Sequence, residues 1–121
     1  MFEIFKSFTF DSAHKLIKVA EGHPCSREHG HTYSLTVYLK GELNNQDMVM
    51  DYRELTKVVK PLIEKFDHNC LNDIEGLESS TSENIAMYVW RYLKPQLPLL
   101  SKIVIQETQS SGVIYCGENL I

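Results

Sequence analysis

The chain has 121 residues, 43% hydrophobic and 23% charged, with a formal net charge of −4. That is one domain with room for a real core, and no basic cluster or stripe that a nucleic-acid partner would require. No apolar run approaches bilayer length, and MFEIFKSFTF lacks the apolar stretch of a signal peptide, so no membrane partner and a cytoplasmic location are expected. Three cysteines, Cys25, Cys70 and Cys116, are odd in number and too few for a disulfide framework, which agrees with a reducing compartment.

Phe2 to Phe10 reads as a strand, with Phe2, Ile4, Phe8 and Phe10 on one face, interrupted by Lys6. Asp11 to His14 follows, then a loop from Lys15 to Pro24. A loop of that length in a compact domain is more often functional than idle. A second strand runs from Thr32 to Gly41, with Tyr33, Leu35, Val37 and Leu39 alternating against Thr32, Ser34, Thr36 and Tyr38. Asp51 with Glu54 resembles a capping box, and Leu55, Val58, Val59, Leu62, Ile63 and Phe66 recur at helical spacing. Pro61 inside that stretch predicts a bent helix rather than an early stop. Ser80 with Glu83 predicts a second cap, ahead of a stripe of Ile85, Tyr88, Val89, Tyr92 and Leu93 that Pro95 and Pro98 end. Lys102 to Thr108 and Gly112 to Cys116 read as closing strands around a turn at Gln109 to Ser111.

The order ββααββ predicts an α+β fold, a four-stranded antiparallel sheet with both helices on one face. The other face and the sheet edges then need cover, so self-association is expected.

Between the first two strands lies Cys25-Ser26-Arg27-Glu28-His29-Gly30-His31. In an extended chain His29 and His31 project on the same side, a chelating i, i+2 pair. A catalytic zinc site usually takes three protein ligands and keeps a position open, so a third is needed. His14, His23 and His68 are candidates, and so is Cys25. The plain alternative is two unrelated strand histidines, but four of the five histidines fall within the first 31 residues. Cys25, near a metal and Arg27, would be base or ligand, and base is favoured once three histidines fill an open site. His68, beside Asp67, has the chemistry of a general acid or base, although an Asp beside a His after a helix is commonly solvated loop. Glu107 shares a strand face with Ile103 and Ile105, where a carboxylate needs a partner; it either emerges at an edge or accepts paired N–H bonds from a planar ligand.

Together these residues resemble the tetrahydropterin synthase family, within it the branch that makes 6-carboxytetrahydropterin for queuosine biosynthesis. The resemblance lies in Phe8-Thr9-Phe10-Asp11-Ser12-Ala13-His14, Glu21-Gly22-His23-Pro24-Cys25, His29-Gly30-His31, Met50-Asp51-Tyr52, Leu71-Asn72-Asp73, Thr81-Ser82-Glu83, Leu97-Pro98-Leu99-Leu100 and Glu107-Thr108. The three-residue gap between Cys25 and His29 is that of the carboxy branch; the pyruvoyl branch has a longer one. The resemblance implies the tunnelling fold, with trimeric twelve-stranded barrels stacked as a homohexamer and active sites between subunits. It implies zinc on His14, His29 and His31. It further implies Cys25 as proton acceptor, His68 and Glu107 as its relay partners, and Asp67 orienting His68. Glu107, helped by Thr81 and Ser82, would anchor the pterin, and Lys15 and Arg27 are candidate triphosphate contacts. The implied substrate is 7,8-dihydroneopterin triphosphate. Competing expectations are the pyruvoyl-forming reaction, a non-catalytic zinc or pterin-binding oligomer, and an aldolase of related fold.

Overall fold

In the computed structural model, which describes residues 1–118, the elements are β1 (Phe2–His14), β2 (His29–Gly41), α1 (Tyr52–Phe66), α2 (Ser82–Leu93), β3 (Leu100–Thr108) and β4 (Ser111–Tyr115). Short 3-10 turns stand at Pro24–Ser26 and Leu71–Asp73. The strands form one antiparallel sheet in the order β1-β2-β3-β4, with both helices between β2 and β3 in sequence, so the expected ββααββ architecture holds. No helix among the described residues is long and apolar enough to cross a membrane.

Alternation in the strands produces the core directly. Tyr33, Leu35, Val37 and Leu39 of β2 and Ile103 and Ile105 of β3 are fully buried on the face that meets the helices. On α1, Leu55, Val59, Leu62 and Phe66 recur on one side of the helix and are likewise buried. Pro61 lies within a helix assigned as continuous, on its exposed side, where water can take up the carbonyl left without an amide partner. The buried stripe of α2 is Ile85, Ala86, Val89, Trp90 and Leu93, while Tyr88 and Tyr92 sit half-buried at its margin. Tyr88 turns its hydroxyl outward to accept from Lys65 Nζ at 2.6 Å.

Several boundaries differ from the sequence reading, β3 beginning at Leu100 rather than Lys102 and β4 running from Ser111 to Tyr115 rather than from Gly112 to Cys116. β1 runs on to His14 and β2 begins at His29, because the hairpin register continues through Ser12↔His31 and His14↔His29. The buried face there carries Ser12 and His14 rather than apolar residues, which breaks the hydrophobic alternation without breaking the strand. Thr81, not Ser80, caps α2, its hydroxyl accepting from Asn84 N–H at 3.2 Å. α1 starts as expected, with Asp51 accepting from Arg53 N–H at 2.8 Å, while Glu54 pairs with Lys57 at 3.1 Å.

Along the free edge of β1, residues 67–70 add a short parallel segment. His68 N–H donates to Asp11 O at 2.6 Å, Ala13 N–H donates to Asn69 O at 3.2 Å, and Ala13 bridges to Cys70. The sheet face opposite the helices exposes Phe5 (58%) and Ile114 (67%).

Candidate metal centre and its surroundings

Because β1 and β2 pair in that register, His14, His29 and His31 emerge on the helix-facing side at one end of the sheet. Their ring centroids lie 4.6 Å (His14–His29), 5.3 Å (His14–His31) and 4.9 Å (His29–His31) apart. One nitrogen from each lies within 4.8 Å of the others. Carbonyl oxygens orient two of the rings. His14 Nδ1–H donates to Ser80 O at 2.8 Å, with the Ser80 hydroxyl a second acceptor at 3.2 Å, and His29 Nδ1–H donates to Arg27 O at 2.8 Å. A carbonyl can only accept, so Nδ1 carries a proton in both rings, and in the neutral imidazole Nε2 is the nitrogen left with a lone pair for a cation.

His14 is 1% exposed, and its buried Nε2 has no hydrogen-bond partner among the described residues. Glu107 Oε1 stands 3.9 Å away, too far for a hydrogen bond. Burial pushes the His14 pKa down, outweighing the Ser80 carbonyl and Glu107, and the neighbouring histidines push the same way as burial. A neutral imidazole with an orphaned lone pair, facing two others, is the donor set that a tetrahedral nitrogen-binding cation such as zinc takes, with a position left open. The three histidines therefore fit a bound metal ion. His23, another candidate, is excluded from this cluster: it is exposed, and its Nδ1 accepts from Cys25 N–H at 3.0 Å to cap the turn.

Tyr33, fully buried, packs edge-on against His14 and His31 at 5.8 and 5.6 Å. Burial, and then Glu107, raise its phenol pKa. Glu107 projects from β3 on the helix-facing side and is neither buried nor free, with a side chain 28% exposed. Ser82, first residue of α2, donates to Glu107 Oε1 at 2.8 Å. Thr81 spends its hydroxyl on the helix cap. A cleft of about 460 Å³ runs beside Glu107 along Thr32, Ser34, Gln106 and Thr108.

Cys25 occupies the 3-10 turn, half-buried, with its carbonyl accepting from Leu16 N–H at 2.7 Å. Its thiol is outside the histidine cluster. Asp67 and His68, adjacent in sequence, do touch: His68 Nδ1 lies 3.0 Å from Asp67 Oδ2. His68 adopts φ +59°, in the left-handed region. Asp67 Oδ1 accepts from Asp11 N–H at 2.8 Å, and that bond, with His68 behind it, holds the Asp67 carboxyl below the usual carboxylate range. The His68 side chain is 79% exposed. A cleft of about 510 Å³ is lined by His31 and His68 together with Asp11, Glu28, Thr32 and Cys70. Lys15 and Arg27 are both exposed on the connecting loop. Sequence reasoning passed over the contribution of Ser80, read there as a helix cap, because a carbonyl's partner leaves no trace in residue type.

Known proteins resemble this chain over nearly its whole length. The family model described as "6-pyruvoyl tetrahydropterin synthase" matches residues 3–118. A Synechocystis protein named 6-carboxy-5,6,7,8-tetrahydropterin synthase is 38% identical, the match covering 99% of this chain and 97% of that one. A dihydroneopterin monophosphate aldolase of Pyrococcus furiosus is 35% identical over 87% of this chain and 89% of its own. Among solved structures, 6-pyruvoyl tetrahydropterin synthase of Caenorhabditis elegans superposes with a TM-score of 0.88 at 30% identity, covering 97% of this chain and 96% of that one. The chain belongs to the 6-pyruvoyl tetrahydropterin synthase family and has its α+β tunnelling fold.

Proposed function

We propose that this enzyme is a zinc-dependent carbon–carbon lyase. It converts 7,8-dihydroneopterin triphosphate to 6-carboxy-5,6,7,8-tetrahydropterin, with release of acetaldehyde and triphosphate, for queuosine biosynthesis. The observation that carries the reading is the convergence of three imidazoles on one point, with the buried Nε2 of His14 left without a partner among the described residues. The spacing from Cys25 to His29 and the likeness to relatives named for this product support the carboxy branch.

In this reading His14, His29 and His31 hold the metal, which when bound supplies a Lewis acid for the hydroxyls of the substrate's side chain. Glu107, steadied by the Ser82 hydroxyl, accepts the N–H edge of the pterin ring and, with the Thr81-Ser82 segment, aligns the side chain over the histidines. The Cys25 thiolate takes a carbon-bound proton. His68, oriented by Asp67, moves protons on the other side of the side chain. Lys15 and Arg27 are the cations offered to the triphosphate.

Cys25 stands outside the histidine cluster and His68 is exposed at a cleft rim, which favours active sites completed between subunits. The open sheet face and edges favour the same assembly, trimeric barrels paired as a homohexamer. Three unpaired cysteines suit the cytoplasm. The test is incubation of zinc-loaded protein with dihydroneopterin triphosphate and identification of both products. Acetaldehyde with 6-carboxytetrahydropterin is expected. A pyruvoyl product without acetaldehyde would move the chain to the other branch, and no reaction would leave a non-catalytic metal or pterin binder.

A further inference from the structure

At the end of β1 the chain beside it turns away. Ala13 still pairs with the parallel segment at Cys70, its N–H donating to Asn69 O at 3.2 Å, but Leu71–Asp73 then closes into a 3-10 turn. Lys15 is met there by a side chain instead. Asn72 Oδ1 accepts from Lys15 N–H at 2.9 Å and Asn72 Nδ2 donates to Lys15 O at 2.9 Å, the two kinds of bond that a neighbouring strand would make. The second Nδ2 proton goes to Glu78 O at 2.9 Å, and the Cys70 thiol lies 3.7 Å from Oδ1. Both protons of that amide are spent on backbone carbonyls, which fixes its orientation.

The two segments that Asn72 joins are those that meet at His14. Lys15 directly follows His14, and Glu78 stands two residues before Ser80. The Ser80 carbonyl accepts from His14 Nδ1–H at 2.8 Å, and the Ser80 hydroxyl lies 3.2 Å from the same nitrogen and 3.5 Å from Lys15 O. Residues 78–80 belong to no helix or strand, so side chains must hold them in place. Asn84 Nδ2 ties Ser79 O to α2 at 2.9 Å, whereas Asn72 ties the segment to the strand that carries His14. A metal-binding imidazole is oriented by the hydrogen bond on its other nitrogen, and is only as fixed as the group that accepts that bond. His14 and Ser80 are both buried, where a shift of residues 78–80 would leave Nδ1–H without its acceptor.

We propose that Asn72 is a positioning residue of the metal centre: its side-chain amide splices the end of β1 to residues 78–80 and so holds the Ser80 carbonyl on His14. The consequence for metal binding rests on the reading that the three histidines hold a cation; the consequence for the His14 ring does not.

The experiment compares the full-length parent with Asn72→Asp, which keeps the shape and one acceptor but removes both donated bonds, and with Asn72→Ala. Asn44→Ala is the control: Asn44 likewise holds a loop by its side chain, accepting from Gln46 and Met48 N–H at 2.8 and 3.2 Å, but it follows the opposite end of β2 from His29. Zinc affinity is measured by competition with a chromophoric chelator. Both Asn72 variants are expected to bind zinc about tenfold more weakly, and Asn44→Ala to stay within about twofold of the parent. In metal-free protein, ¹H–¹⁵N spectra of the His14 ring are expected to show a slowly exchanging Nδ1–H in the parent and an exchange-broadened one in the Asn72 variants. Parent-like zinc affinity in Asn72→Asp overturns the proposal, and so does an equal loss in Asn44→Ala, which would make the effect one of general weakening. If neither Asn72 variant folds, amide exchange of Lys15 in the parent decides: protection is expected from its bond to Asn72, and exchange at the rate of a free chain overturns the proposal. A parent that binds no zinc refutes the metal reading instead, and the His14 ring signal still decides the role of Asn72.

Discussion

Metal removal probes the three-imidazole cluster most directly. Without a cation, His14 buries an Nε2 that has no hydrogen-bond partner among the described residues, beside two further imidazoles. A ligand that binds only the folded state stabilises it by RT ln(1 + [L]/Kd), about 2.7 kcal/mol at a free concentration one hundred times Kd. Unfolding entropy near 2.1 cal/mol/K per residue gives about 0.25 kcal/mol/K for a chain of 121 residues, so the melting temperature should rise by about 10 °C. The assay is thermal unfolding of chelator-stripped protein at fixed protomer concentration, with and without zinc; fixing concentration removes the contribution of assembly. Magnesium and calcium, which prefer oxygen donors, should leave the curve unmoved. His31→Ala, a change at a half-buried position, should fold and show no zinc-dependent shift. An equal melting temperature for stripped and zinc-treated parent, or an undiminished zinc shift in His31→Ala, would refute the ligand assignment.

Other expectations concern single groups. The pKa of His14 is depressed in the folded state, so the unfolded chain binds the proton more tightly; its contribution to stability is complete above about pH 6.5 and is lost as pH falls toward the depressed value. Denaturant midpoints of metal-free protein should therefore fall below pH 6.5, and His14→Gln should remove that part of the dependence. Cys25→Ala should retain zinc and bind the pterin while losing turnover, and full activity would take the thiol out of the mechanism. Thr81→Ala should cost about 1 kcal/mol in denaturant unfolding through loss of the α2 cap, whereas Ser80→Ala should leave that cap intact.

The histidine cluster illustrates how much of a site can be read before folding. His29 and His31 share a face because strand geometry alternates, and that much is local. The choice of His14 over His23 as third member is not local: both lie within 17 residues of His31, and only the hairpin register and the turn cap taken by His23 separate them. Likewise Asp67 and His68 are neighbours in any conformation, but their side-chain contact, the φ of +59° at His68 and the bond from its N–H to Asp11 O are features of the folded chain.

Residue order by itself determined the ββααββ succession, the core stripes of Leu55 to Phe66 and Tyr33 to Leu39, and the family to which the motifs belong. Those features depend on periodicity and side-chain type, which a linear chain displays openly. Tertiary structure alone decided that polar Ser12 and His14 lie on a buried strand face, that the Ser80 carbonyl orients His14, and that Asp11 meets Asp67 and His68. Such contacts join residues tens of positions apart through backbone groups, and every residue but proline carries the same backbone donor and acceptor.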